Sequence, residues 1–215
     1  MMLKHWIKTI VVAASLLSAT AAFAFTEGKD YKALAKPMPV AVPGKAEVIE
    51  FFWYGCPHCF SIEPSVEAWA AKLPKDVNLR RVHVMWDGRN DMEGHAKIFL
   101  ALQGMGLDAK YQQAVMKAIQ TDRIELRNEA KLLEWVKKQG IDVAKFKANY
   151  NGFSSQMQLK NLTKITQDYQ VDGVPMFVVN GKWVTSPAMV GAEDATVTKM
   201  VDELIAKDRQ APKKK

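Results

Sequence analysis

The sequence predicts an α/β chain in which a helical block separates two groups of strands. Three observations carry this. Residues 47–54, "EVIEFFWY", are a bounded apolar run of strand length. Residues 78–86, "NLRRVHVMW", alternate and are rich in β-branched side chains. The strand pattern then disappears and returns only at "VPMFVVNGKWV". The predicted order is strand–helix–strand, helical block, hairpin, helix.

Each element has its own signal. Residues 1–24 have the layout of a secretory signal peptide: Lys4 and Lys8 without an acid, an apolar run at 10–17, and Ala22-Phe23-Ala24 as a cleavage site. The apolar run is short of the roughly 20 residues that span a bilayer. No cysteine precedes Cys56 to take a lipid, so a soluble mature chain starting at Phe25 is expected. Loss of Lys4 and Lys8 lowers the formal charge from +7 to +5. Much of the remaining excess is a tail (Lys207, Arg209, Lys213, Lys214, Lys215), which reads as a solvated end. Export and this charge distribution argue against nucleic acid as a partner.

Residues 25–44 carry Pro37, Pro39 and Pro43 and read as a loose arm. The first strand holds one acid, Glu50. A helix is expected over 57–72, closed by Pro74, and the second strand ends before Asp87-Gly88. About four helices are expected over 91–170, punctuated by glycines. Asn128 is placed to cap one that ends at Gly140, and Ser154 to cap another. Asn180-Gly181 suits a type I′ hairpin turn, in which both positions need positive φ. A last helix is expected over 193–207. The domain division is 25–88 and 166–215 around a helical insertion at 89–165.

The chain owns two cysteines, Cys56 and Cys59, in "CPHC". In an oxidising compartment cysteines usually staple small folds. A disulfide between these two closes so short a loop that it adds little stability. A redox role is the stronger reading. With Cys56 at the N-cap, Pro57 falls at N1, where its missing N–H costs nothing. The free N–H groups of His58 and Cys59 then point back at the Cys56 sulfur, at the positive end of the helix dipole. These groups favour a thiolate, and a positively charged His58 adds to them. Cys56 is expected to be exposed, Cys59 to lie inward and shielded. A stabilised thiolate favours the reduced protein, which makes its disulfide an oxidant. Substrate thiolate attacks Cys56, and a second substrate thiol then displaces it. Zinc needs four ligands, and the mature chain offers only His58, His83 and His95 besides the pair, without ligand spacing. No metal and no cofactor are expected.

The "EVIEFF" strand, Cys56-Pro57-His58-Cys59, the "HV" strand, the helical block and "GVPMFVVNGK" together resemble the periplasmic DsbA family of thiol:disulfide oxidoreductases, from "GKDYKAL" onward. The resemblance implies a thioredoxin-like fold, a mixed sheet flanked by helices, with an inserted helical domain. It implies a monomeric periplasmic enzyme that oxidises unfolded exported proteins and is reoxidised by a DsbB-like, quinone-linked inner-membrane partner. It makes Cys56 the attacking cysteine, Cys59 the buried one and His58 the stabilising histidine. Val174-Pro175 becomes a cis-proline loop against the active site, whose backbone pairs with an extended substrate. A low thiol pKa and an oxidising couple belong to the same implication.

The resemblance also implies that Glu50 is a buried acid near Cys59, paired with Arg81 on the neighbouring strand and a possible proton relay. The residue-level alternative is an outward-facing Glu50. An always-charged arginine would hold a paired Glu50 ionised and make it a poor proton acceptor. Pro64 should bend the active-site helix or remove one hydrogen bond. Phe51, Phe52, Trp53 and Tyr54 read as core, with Trp53 or Tyr54 a candidate wall of a peptide groove. His83 reads as a packed histidine, and Met176 as a residue that touches substrate. Two rivals stand beside the oxidase: an isomerase or reductase on the same scaffold, and a binding module whose cysteine pair is incidental.

Overall fold

The strands form one mixed sheet: β1 (Lys32–Ala33), β2 (Ala46–Phe52), β3 (Val77–His83), β4 (Met176–Val179) and β5 (Trp183–Thr185), in the spatial order β1-β5-β4-β2-β3. The computed structural model describes residues 25–191 and 194–210, so the expected signal peptide lies outside the described residues. β2 is central and buried along almost its whole length, which is why its sequence runs apolar instead of alternating. It pairs in parallel with β3 through the crossover helix α1 (Pro57–Ala70) and antiparallel with β4.

The expected hairpin turn is present. Asn180 and Gly181 have φ of 51° and 60°, and the Lys182 N–H donates to the Val179 carbonyl at 2.9 Å. A side chain at Gly181 would meet the Met38 carbonyl, so glycine is required there twice over. The arm over 25–44 is less loose than expected. β1 pairs antiparallel with β5, and the N–H groups of Leu34 and Met38 donate to Lys182 and Gly181 carbonyls at 2.7 and 2.8 Å. An open hairpin edge offers the arm's backbone partners that its prolines concealed.

Between β3 and β4 lie five helices instead of four: α2 (Asn90–Gly104), α3 (Asp108–Gln120), α4 (Glu129–Lys138), α5 (Val143–Asn151) and α6 (Phe153–Asp168). The extra element arises because extended backbone at Gly152 (ψ 152°) separates α5 from α6. Gly152, not Ser154, is therefore the N-cap of α6. Asn128 caps α4 as expected, its side-chain oxygen accepting from the Lys131 N–H at 3.1 Å. Helices α7 (Pro187–Val190) and α8 (Asp194–Gln210) follow the hairpin.

Two apolar clusters flank the sheet. Along β4, Met176 and Val178 enter the cluster shared with the helical block, while Phe177 and Val179 enter the one under α1 and α8. On α1, buried positions 59, 62, 63 and 66 form one stripe facing the sheet. The active-site cysteine pair thus starts a helix that is packed down along its length.

Candidate active site

Cys56 is the N-cap of α1, with extended backbone (φ −84°, ψ 117°), and its sulfur accepts the Cys59 N–H at 3.4 Å. Pro57 occupies the first helical position, where no N–H is needed. The helix runs on through Pro64, whose ring removes a donor without ending it. Both cysteines are free thiols, and Cys59 is fully buried. Cys56 is only 6% exposed, less open than expected, because the loop before β4 packs over it. The Cys56 thiol donates to the Val174 carbonyl at 3.4 Å, and the Val174–Pro175 peptide bond is cis.

The two sulfurs differ in acidity. Cys56 is pushed down to about 6. The largest cause is the Cys59 thiol donating to it. The backbone N–H groups of Cys59 and His58 and the His58 charge add to this, against burial. The sequence pointed to the backbone donors and the imidazole, and the leading donor is instead the second thiol. Cys59 is pushed well up, first by burial and then by its role as donor to Cys56.

A cleft of about 560 Å³ opens beside this pair, lined by His58, Ile62, Val174, Pro175, Met176 and Met189 among others. His58 and Pro57 are exposed at its rim. Trp53 and Tyr54, expected as possible groove walls, do not line it. Tyr54 is fully buried, and Trp53 turns to donate to His95 at 3.1 Å, with Arg89 over its ring.

Under the cysteines lies a charge cluster that the sequence showed only in part. Glu50 on β2 stands in register with Arg81 on β3, and Arg81 Nε donates to Glu50 at 3.0 Å. The same guanidinium donates through Nη2 to Glu63 on α1 at 2.7 Å, and both carboxylates are fully buried. Two acids sharing one cation cannot both ionise cheaply. Burial raises Glu50 despite Arg81, and burial with the charge of Glu50 pushes Glu63 up to about 9. The expectation that Arg81 simply holds Glu50 ionised is corrected by this third member. Glu63 was missed in the sequence, although its place on the stripe 59, 62, 63, 66 is a signal that could have found it.

His83 is packed, as expected. Its Nδ1 is 2.9 Å from the Val84 carbonyl, its Nε2 accepts the Tyr54 N–H at 3.5 Å, and burial pushes it down to about 3. A further residue had no sequence signal. The Gln120 side chain, at the end of α3, donates to the carbonyls of Tyr54 and Cys56 at 2.8 and 3.1 Å. Among the described residues, no group of three or more His, Cys, Asp or Glu side chains is arranged to hold a metal ion.

Two thiols of opposite acidity at the start of a helix, the more acidic one against a cis-proline loop, can carry out thiol–disulfide exchange. Comparison with known proteins agrees. The DSBA-like thioredoxin domain family matches residues 47–200. The chain belongs to this family. Relatives named thiol:disulfide interchange protein DsbA include that of Pseudomonas aeruginosa, 38% identical over 99% of this chain and 100% of its own. That of Pseudomonas syringae is 39% identical over 96% of both chains. The crystal structure of Pseudomonas aeruginosa DsbA superposes with a TM-score of 0.81 at 38% identity, covering 88% of this chain and 97% of that one. The oxidoreductase NmDsbA1 from Neisseria meningitidis gives 0.75 at 30% identity, covering 86% and 94%. As a DsbA-family member with this pair intact, the chain is a thiol:disulfide oxidoreductase.

Proposed function

We propose that the chain is a periplasmic thiol oxidase that gives its Cys56–Cys59 disulfide to newly exported proteins. The observation that carries this reading is the asymmetry of the pair: Cys56 lies against the Val174 carbonyl, next to the cleft that His58, Val174 and Pro175 line, with its thiol pushed down, while Cys59 is fully buried with its thiol pushed up. A substrate thiolate attacks the Cys56 sulfur. The disulfide breaks, the electron pair goes to Cys59, and Cys59 takes up a proton because burial disfavours its thiolate. A second substrate thiolate attacks the substrate sulfur of the mixed disulfide and releases Cys56 as a thiolate. The substrate loses two electrons and the pair gains them, so a DsbB-like, quinone-linked membrane partner must take them away.

In this reading Pro57 and His58 keep the Cys56 thiolate comfortable, and Val174 and Pro175 line the floor on which an extended substrate lies. Glu50, whose charge adds to the raising of the Cys59 thiol, exchanges a proton with it in this reading, while Arg81 and Glu63 set its charge. The thioredoxin-like parts, 25–88 and 166–215, supply the chemistry, and the insertion at 89–165 covers one side of it. No described helix is long and apolar enough to cross a membrane. The same reading has the chain exported as a monomer, with residues 1–24 removed.

The deciding experiment uses Cys59→Ser and Cys56→Ser, each with a reduced, unfolded protein. Cys56 of the first is loaded beforehand as a mixed disulfide with thionitrobenzoate, so that a client thiolate can displace that leaving group, and Cys56→Ser is treated in the same way. Cys59→Ser should accumulate a mixed disulfide through Cys56, and Cys56→Ser should form none and lose all oxidase activity. Client binding unchanged in Cys56→Ser, with no oxidation of the client by the wild type, would make the chain a binding module. Glu50→Gln should slow exchange at Cys59; an unchanged rate removes Glu50 from the mechanism.

A further inference from the structure

Gln120 is the last residue of α3, which runs end-on into the turn that carries Cys56. It is half-buried. Its amide nitrogen reaches the Tyr54 carbonyl at 2.8 Å and the Cys56 carbonyl at 3.1 Å, so both of its N–H donors have partners. These two carbonyls lie on either side of Gly55, immediately before the helix. The Cys56 carbonyl also accepts the Phe60 N–H at 3.1 Å, the first bond of α1. One side chain from the helical block therefore holds the peptide group that follows the N-cap, Cys56–Pro57, together with the one that enters Gly55, Tyr54–Gly55.

We infer that Gln120 is a positioning residue that tunes the Cys56 thiolate from the helical block. Two physical effects run in the same direction. The clamp holds the Cys56 backbone extended, which keeps the sulfur facing the Cys59 N–H at 3.4 Å. It also covers the negative ends of two carbonyl dipoles beside a sulfur that must carry negative charge. Loss of the amide takes this donor from the Tyr54 carbonyl and leaves the Cys56 carbonyl with the Phe60 N–H alone, so more carbonyl charge faces the thiolate and the cap is freer to turn. Gln120 touches no reacting atom, so its action is through Cys56. The inference rests on Cys56 being the reacting thiolate.

The test compares the intact mature protein with Gln120→Met, which keeps the length and removes both donors, and Gln120→Glu, which keeps the shape. The readouts are the titration of Cys56 by thiolate absorbance and the redox midpoint against glutathione. Gln120→Met should raise the titration midpoint by about half to one unit. The redox equilibrium should shift three- to tenfold toward the disulfide, about 15–30 mV less oxidising. Gln120→Glu, ionised at neutral pH, should shift both further in the same direction. If both variants lose thermal stability but keep the wild-type titration and midpoint, Gln120 is merely structural and the inference is overturned. If the wild-type Cys56 itself titrates above about 8, the oxidase reading fails, independently of Gln120.

Discussion

The redox midpoint of the Cys56–Cys59 couple should change slope with pH at about 6. Reduction takes up two electrons and up to two protons, and a tenfold change in a two-electron equilibrium is about 30 mV. Below the Cys56 pKa both sulfurs end as thiols, and the midpoint falls by about 60 mV per pH unit. Above it Cys56 stays a thiolate, only Cys59 is protonated, and the slope halves to about 30 mV. The break belongs at about 6 because Cys56 is lowered to that value. An ordinary thiol would break at about 8.5. Cys56 is an acid with a depressed pKa, so its stabilisation of the reduced form is complete above the ordinary value and is lost as pH falls through about 6. At pH 7 one unit of the shift is in play, about 1.4 kcal/mol, which makes the couple about 30 mV more oxidising than one with ordinary thiols. By about pH 8.5 the difference grows to about 65 mV, and it levels off at about 75 mV well above that pH. Glutathione equilibria at a series of pH values, followed by tryptophan fluorescence, measure this directly. A break at 6 or below supports the capped thiolate, and a break above about 8 refutes it.

Three further outcomes follow from the buried charges. Glu63 holds its proton up to about 9 in the folded chain and releases it far lower when unfolded. Stability should therefore fall as pH rises from about 5 to 9, and Glu63→Gln should flatten that fall in urea titrations; an unchanged pH slope would remove Glu63 as its source. Arg81→Met leaves two buried carboxyls without their cation and should cost about 3–5 kcal/mol, more at high pH. A loss below about 1 kcal/mol would show that other groups satisfy them. His83 is a base with a depressed pKa, so stability should drop as pH falls from about 6.5 toward 3. His95, pushed down to about 4, loses stability over part of the same range. In His83→Phe the acid-induced drop should therefore shrink to that share, at a cost of about 1–3 kcal/mol for the lost Tyr54 N–H acceptor; an acid response identical to wild type would place the titration elsewhere.

The parts of the fold legible in the sequence were those set by local chemistry. Asn180-Gly181 specified its turn, Asn128 its helix cap, and Cys56-Pro57 the start of α1, because each depends on neighbouring backbone alone. What was hidden depends on partners far along the chain. The pairing of the arm with β5 needs the hairpin edge, and Gln120 reaches carbonyls more than sixty residues away. Glu63 lay between these cases. Its helical spacing could have marked it as inward-facing, but only Arg81 reaching it from β3 explains how a buried acid is tolerated there.

The walls of the cleft come from distant parts of the chain. Lys32 stands on β1, His58 and Ile62 on α1, Val174 and Pro175 in the loop before β4, and Val184 on β5. A chain still being made has its cysteines and first helix long before it has β5 to pair with β1. The reactive pair is then present without the cleft beside it. Competence for thiol–disulfide exchange should therefore arrive in one step, late in folding, when the last third of the chain closes against the first.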